Sequence, residues 1–325
     1  MPTEAMTKQD PKVSAEIAKL NKQFYVSFDT QYFLQKCFYL LALLGNPKST
    51  TDILKQGVSF KRLRVKIDDE QDAKLLSDKL EQNLKAEIAT TYFHAIETLF
   101  RIMFAHVRAK DCPWVELTIN NNFSEFKADV ESFTKQEYFT VDHKTGLSLI
   151  FYSRTDKPKT VPKKVWDKSL DNLSVFLDYF GRDLLKSYAY NSYKHGLAMF
   201  SDEFGFSLGE IMKVDKDDAL VFLSYVSDKD HAGYKQLQRN YTFTRWEQKW
   251  AFVHILTPML EQIVGIGNWR YSNGEYEMKL FDQLDLLKII KNNDSPFQPD
   301  TVSESSFSFK LDPAKKRGKK HKKNA

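Results

Sequence analysis

The chain has 325 residues, 42% hydrophobic and 14% aromatic, enough for a substantial core in one large domain or two smaller ones. Only 12 Gly and 10 Pro argue against a turn-rich β protein and favour long helices. The net charge of +5 is not spread evenly: the last eleven residues hold seven Lys or Arg and no acid, leaving 41 basic against 43 acidic side chains elsewhere, so a polyanionic partner would meet the tail first.

Two cysteines, Cys37 and Cys112, exclude a disulfide framework and a cysteine zinc site, and point to a reducing compartment. Residues 1–22 are polar with no apolar signal core, and the longest apolar run, 37–44, is far short of a membrane span. A cytoplasmic protein with no membrane segment is expected.

Residues 1–11 are polar and predicted to be disordered. A buried helix is predicted over 29–44, stopped by Gly45-Asn46-Pro47, then a short helix over 49–56 capped by Ser49 or Thr50. Alternation over 61–67 predicts a half-buried strand with Leu63, Val65 and Ile67 inward and Arg62, Arg64 and Lys66 outward.

Residues 70–108 lack Gly and Pro and read as one long helix or two joined ones, with Pro113 just beyond. Leu84, Ile88, Ala95, Leu99 and Ile102 form one seam, and His106 continues it. The opposite face carries His94, Glu97, Arg101 and Arg108, with Glu97 and Arg101 spaced for an i,i+4 ion pair. Asn122, with Glu125 three residues on, opens a helix to Phe133, and 147–152 reads as a short strand.

The second long helix is predicted over 163–200. Its stripe of Trp166, Leu170, Leu173, Leu177, Phe180 and Leu184 steps by four and three, one face of a helix, and the same rhythm reaches Tyr188, Asn191 and His195 before Gly196. The two long helices are expected to pack antiparallel through their seams. Strands are predicted over 204–208, 219–226 and 239–243, and Thr244-Arg245-Trp246-Glu247 is a capping box opening a helix to about Val264. Gly265-Ile266-Gly267 fits a helix C-cap far better than a nucleotide loop. Asn273-Gly274 predicts a hairpin between 269–271 and 275–281, and 282–290 a short helix.

The fold class expected is mainly α: a helical bundle with two long core helices, a smaller α+β C-terminal region and a disordered basic tail. The boundaries are 1–11 disordered, 12–200 helical domain, 201–291 small α+β region, and 292–325 linker and tail.

The chemistry concentrates on the two long helices. Asn191 and His195 are four apart, hence neighbours on one face, with Lys194 beside them. Polar groups on an inward seam are either a satisfied structural cluster or a site, since a histidine there exchanges protons near neutral pH. The first helix with Glu97-Thr98-Leu99-Phe100, and the second with Tyr190-Asn191-Ser192-Tyr193-Lys194-His195-Gly196, resemble the HEPN superfamily over roughly 70–200. In those helical bundles an Arg-x(4–6)-His motif, commonly with Asn beside the Arg, makes many members metal-independent ribonucleases that usually act as dimers.

The resemblance implies His195 at the scissile phosphate, Asn191 and Lys194 positioning it, and Glu97 orienting the site, without cofactor or metal. It also implies RNA as partner, a homodimer, and a setting in bacterial toxin or phage-defence systems. Tyr190 stands where the family places its Arg. A literal Arg-x4-His falls instead on the first helix, at Arg101 and His106.

The tail residues Lys315, Lys316, Arg317, Lys319, Lys320, Lys322 and Lys323 suit any polyanion in a salt-sensitive, sequence-blind way, or serve solubility. Three readings stay open: a ribonuclease, a non-catalytic RNA- or nucleotide-binding module, and a protein-interaction scaffold.

Overall fold

The structure, a computed structural model, describes residues 11–66, 70–109, 111–119, 122–186, 199–208, 212–227, 234–272, 274–283 and 301–310. The protein is mainly α, as its composition predicts. The helices are α1 (Pro11–Ser27), α2 (Tyr32–Leu44), α3 (Pro47–Gln56), α4 (Glu70–Arg108), α5 (Pro113–Ile119), α6 (Phe123–Thr134), α7 (His143–Tyr152), α8 (Lys163–Lys186) and α9 (Trp246–Ser272). The strands are β1 (Val58–Phe60), β2 (Leu63–Val65), β3 (Met199–Leu208), β4 (Met212–Ser227), β5 (Tyr234–Phe243) and β6 (Thr301–Lys310).

The chain divides into two compact units. One is Met1–Tyr188 with Arg245–Ser295, the other Ala189–Thr244 with Pro296–Ala325. The expected small region at 201–291 is therefore split. Its strands form one unit, while its helix α9 returns to the helical one.

The helical unit is built around α4 and α9. At 39 residues, α4 is about 58 Å long. Its seam residues Leu84, Ile88, Ala95, Leu99 and Ile102 are all buried. Alongside it runs α9 in the same direction: the Phe252 ring stacks at 5.9 Å from Tyr92, and Tyr271 stands edge-on to His106 at 6.4 Å.

α9 is apolar enough, by length and composition, to cross a membrane, but two thirds of that window is buried inside the fold. It packs on α1, α2, α4 and α7, and a helix enclosed on so many sides reads apolar all round. Pro258 lies within it without ending it.

The expected pairing of the two long helices is corrected by this arrangement. α4 packs most broadly on α9 and α2, and α8 on α6 and α7. α8 meets α4 more narrowly, where Tyr92 Oη donates to Asp183 at 2.8 Å and Gly181 admits the ring of Phe100. The stripe on α8 is buried throughout, from Trp166 to Leu184.

Several local expectations change. Residues 147–152 belong to helix α7, not a strand, because Asp142 accepts the backbone N–H of Thr145 and starts a helical turn. α3 begins at Pro47, earlier than Ser49, with Pro in the first turn where its missing N–H costs nothing. The strand at 61–67 is instead the hairpin β1–β2, turning at Lys61 with φ 52°, and Leu63 is 62% exposed. α9 passes through Gly265 and Gly267 to Ser272, so 269–271 is helical and no hairpin forms around Gly274.

The predicted cap at Asn122 is present: its Oδ1 accepts from Ser124 N at 3.0 Å and its Nδ2 donates to Glu125 at 3.0 Å. The expected helix at 282–290 and disorder at 1–11 fall mostly outside the described residues, and the basic tail wholly so.

The second unit is an antiparallel sheet in the order β3-β4-β5-β6. The first three strands follow one another, while β6 arrives from 301–310 to pair with β5. That strand lies in the expected linker: Val302, Phe307 and Phe309 sit among Ser and Thr, too few apolar residues to announce it. Ala219 faces Phe243 and Val221 faces Tyr241 across the β4–β5 ladder, and all four are buried, a set of cross-strand pairs on one face. Met199 and Phe200 open β3, so the second long helix does not reach Phe200.

Candidate functional site

His195, Asn191 and Lys194 lie at 187–198, outside the described residues, so their geometry carries no statement. The sites expected on α4 are described, and they separate. Glu97 is buried and accepts from Arg101 Nε at 2.7 Å, the i,i+4 pair predicted from spacing. The Arg101 guanidinium lies 4.3 Å over the ring of Phe126 from α6, a cation–π contact. Arg101, Arg108, Glu116, Asn122 and Asp129 line a narrow cleft beside α5 and α6. Both arginines there are already matched, Arg108 by Asp129 and by Glu116 at 3.8 Å.

His106 points elsewhere. Five residues beyond Arg101 is about 140° round a helix, which turns its ring toward α1 and α9. There Nε2 shares a 2.6 Å hydrogen bond with the Tyr25 hydroxyl, and Nδ1 has no hydrogen-bond partner among the described residues. Burial, with the Arg270 charge behind it, holds its pKa down to about 3. Tyr25 in turn stacks on Tyr271 at 5.6 Å, and burial pushes its hydroxyl well above the ordinary phenol range. The Arg-x4-His spacing at Arg101 and His106 therefore does not assemble one site. The histidine is enclosed in a helix junction, where burial favours its neutral form.

The same junction holds Asn21, whose Nδ2 donates to the Asp111 carbonyl at 2.6 Å, and buried Cys112. Cys37 is a second buried free thiol, pushed up to about 11 by burial. Among the described residues no group of three or more His, Cys, Asp or Glu is placed to hold a metal ion.

Sequence reasoning missed a larger concavity. The end of α9, the chain after it and the loop after α7 border an open basin of about 820 Å3. Tyr152, Arg154, Trp269, Glu275, Tyr276 and Met278 line it. Trp269, a large aromatic just past two glycines, is a signal in the sequence, though the pattern around it predicts a strand.

No protein-family model matches the chain, and neither a curated protein nor a solved structure matches it.

Proposed function

We propose that this protein acts on RNA as a HEPN-type domain of a toxin or phage-defence system. The observation that carries the reading is the stretch Asn191-x3-His195-Gly196, which follows directly in sequence on the buried stripe of α8. In this reading His195 polarises or protonates at the scissile phosphate, Asn191 and Lys194 position the phosphate, and the basic tail recruits the strand. Glu97 acts indirectly, by fixing Arg101 through their 2.7 Å ion pair.

Tyr190 favours a second reading, a non-catalytic RNA-binding module, because it occupies the place of the family's arginine. Incubating the purified protein with a mixed RNA pool, with and without EDTA, separates the two. Cleavage that persists in EDTA and disappears in His195→Ala supports the ribonuclease. Retention of RNA in a low-salt gel shift without cleavage supports the binding module. Neither cleavage nor retention removes RNA from the account.

A further inference from the structure

The basin beside α9 has a built wall. Gln262 donates to the Phe151 carbonyl at 2.7 Å and to the Tyr276 hydroxyl at 3.4 Å, and accepts from Lys279 N at 3.0 Å. Arg270 donates to the Leu149 carbonyl at 3.1 Å and to Ser153 Oγ at 2.8 Å, tying the chain after α7 to α9. These bonds set the concavity in place before any ligand arrives.

What the wall presents is specific. Trp269 is 49% exposed on a helix whose neighbouring Ile266 and Gly267 are buried. Its ring is tilted 46° to Tyr276 at 6.3 Å, so the two are not stacked on each other. Pro158 and Met278 extend the apolar lining. Arg154, exposed at the rim, makes no side-chain hydrogen bond or ion pair among the described residues. Burial raises the Tyr276 hydroxyl, and the Gln262 hydrogen bond, then the Arg154 and Arg270 charges, pull it partly back. Glu275 adds an acceptor to the lining. A small inorganic anion gains little from a rim with one Arg and one Glu. A ligand with a flat π-face, N–H groups and a negative charge uses every part of it.

We propose that this basin is a nucleotide site: an unpaired base stacks on Trp269, Glu275 accepts from a base N–H, and Arg154 takes the phosphate. The choice of a nucleotide over other flat anions rests on the RNA-directed reading.

The test titrates AMP and a single-stranded uridine pentamer RNA into the full chain, for wild type, Trp269→Ala, Trp269→Phe and Arg154→Ala, with melting temperature as the fold check. Arg154 is exposed and Trp269 half-exposed, so the variants are expected to keep the fold. Binding of either probe is expected to weaken at least about fivefold in Trp269→Ala and in Arg154→Ala, and to be largely restored in Trp269→Phe. A response to both probes assigns a free-nucleotide site, and a response to the pentamer alone a strand site. The proposal is overturned if neither probe binds, or if both bind the alanine variants as they bind wild type. RNA held by the tail with unchanged variant binding sinks the basin alone. AMP bound through Trp269 and Arg154, with no RNA cut or retained, sinks the RNA reading alone.

Discussion

Tyr25 and His106, 81 residues apart in sequence, share a 2.6 Å hydrogen bond inside the junction of α1, α4 and α9. Because the folded protein keeps His106 neutral down to about pH 3, while an unfolded chain protonates it near pH 6.5, the unfolded state binds the extra proton between those values. The stabilisation is full above about pH 6.5 and is lost as pH falls toward 3. Wild type is expected to lose up to about 1.4 kcal/mol per pH unit from this group in that window. Urea denaturation of wild type and His106→Gln at pH 4, 5, 6 and 7 checks it. Equal pH slopes in the two proteins would show that His106 titrates freely.

Removing the other partner tests the bond itself. Tyr25→Phe leaves the imidazole Nε2 enclosed without its hydroxyl. It should lower unfolding free energy by about 1–3 kcal/mol, the penalty for an unsatisfied buried group. A change within a few tenths of a kcal/mol would mean that water reaches the ring.

The two glycines of α9 should respond oppositely to the same change. A Cβ on Gly267 would stand 2.1 Å from Cε1 of Tyr25, whose ring already stacks on Tyr271. Gly267→Ala is therefore expected to cost about 1–3 kcal/mol. A Cβ on Gly265 meets only Tyr276 at 3.5 Å, an ordinary contact, so Gly265→Ala gains the alanine helix preference and stabilises by up to about 1 kcal/mol. Thermal melts of both variants decide the matter. The same sign in both would contradict the packing.

Ser169 ties α8 to α7 and to the chain after α9. Its hydroxyl pairs with Tyr152 Oη at 2.6 Å and accepts from Phe281 N at 2.8 Å. Ser169→Ala should destabilise by about 1–3 kcal/mol although it removes only one atom. An unchanged denaturation midpoint would show both partners re-paired elsewhere.

Deleting 315–325 should weaken RNA retention at low salt and flatten its dependence on salt, because about seven cations leave with the tail. The melting temperature should hold, since the segment has no apolar side chain to bury except Ala325. An unchanged gel shift would remove the tail from RNA binding, and a large drop in melting temperature would give it a place in the fold.

The long helices were legible because their signal is local and repeated: the α8 stripe and the α4 seam, His106 included, are buried as the spacing indicates. The β4 and β5 segments were legible for the same reason. What the sequence hid was pairing. Gly265 and Gly267 predict a helix terminus near Val264, whereas Gly267 serves the close approach of Tyr25, which lies far away in sequence. Residues 147–152 form an apolar run too short for its period to separate helix from strand, and the Asp142 cap five residues earlier decides it. Arg101 and His106 matched a motif by count while a helix turned them to different sides. The basin depends on Arg154 and Trp269, more than a hundred residues apart, lining one concavity, for which no local pattern exists.

The two units are interleaved along the chain, since the sheet residues interrupt the helical unit before α9, and β6 follows it. During synthesis the side of α4 that α9 covers must therefore wait until the whole of β3–β5 and then α9 have emerged. The sheet in turn stays one strand short until residue 310 is made. Neither unit can be expressed whole as a single stretch of the gene. A fragment ending near residue 188 would carry α4 without its main partner, a natural client for chaperones and proteases, and functional dissection of this protein has to proceed by point substitution instead of by cutting it in two.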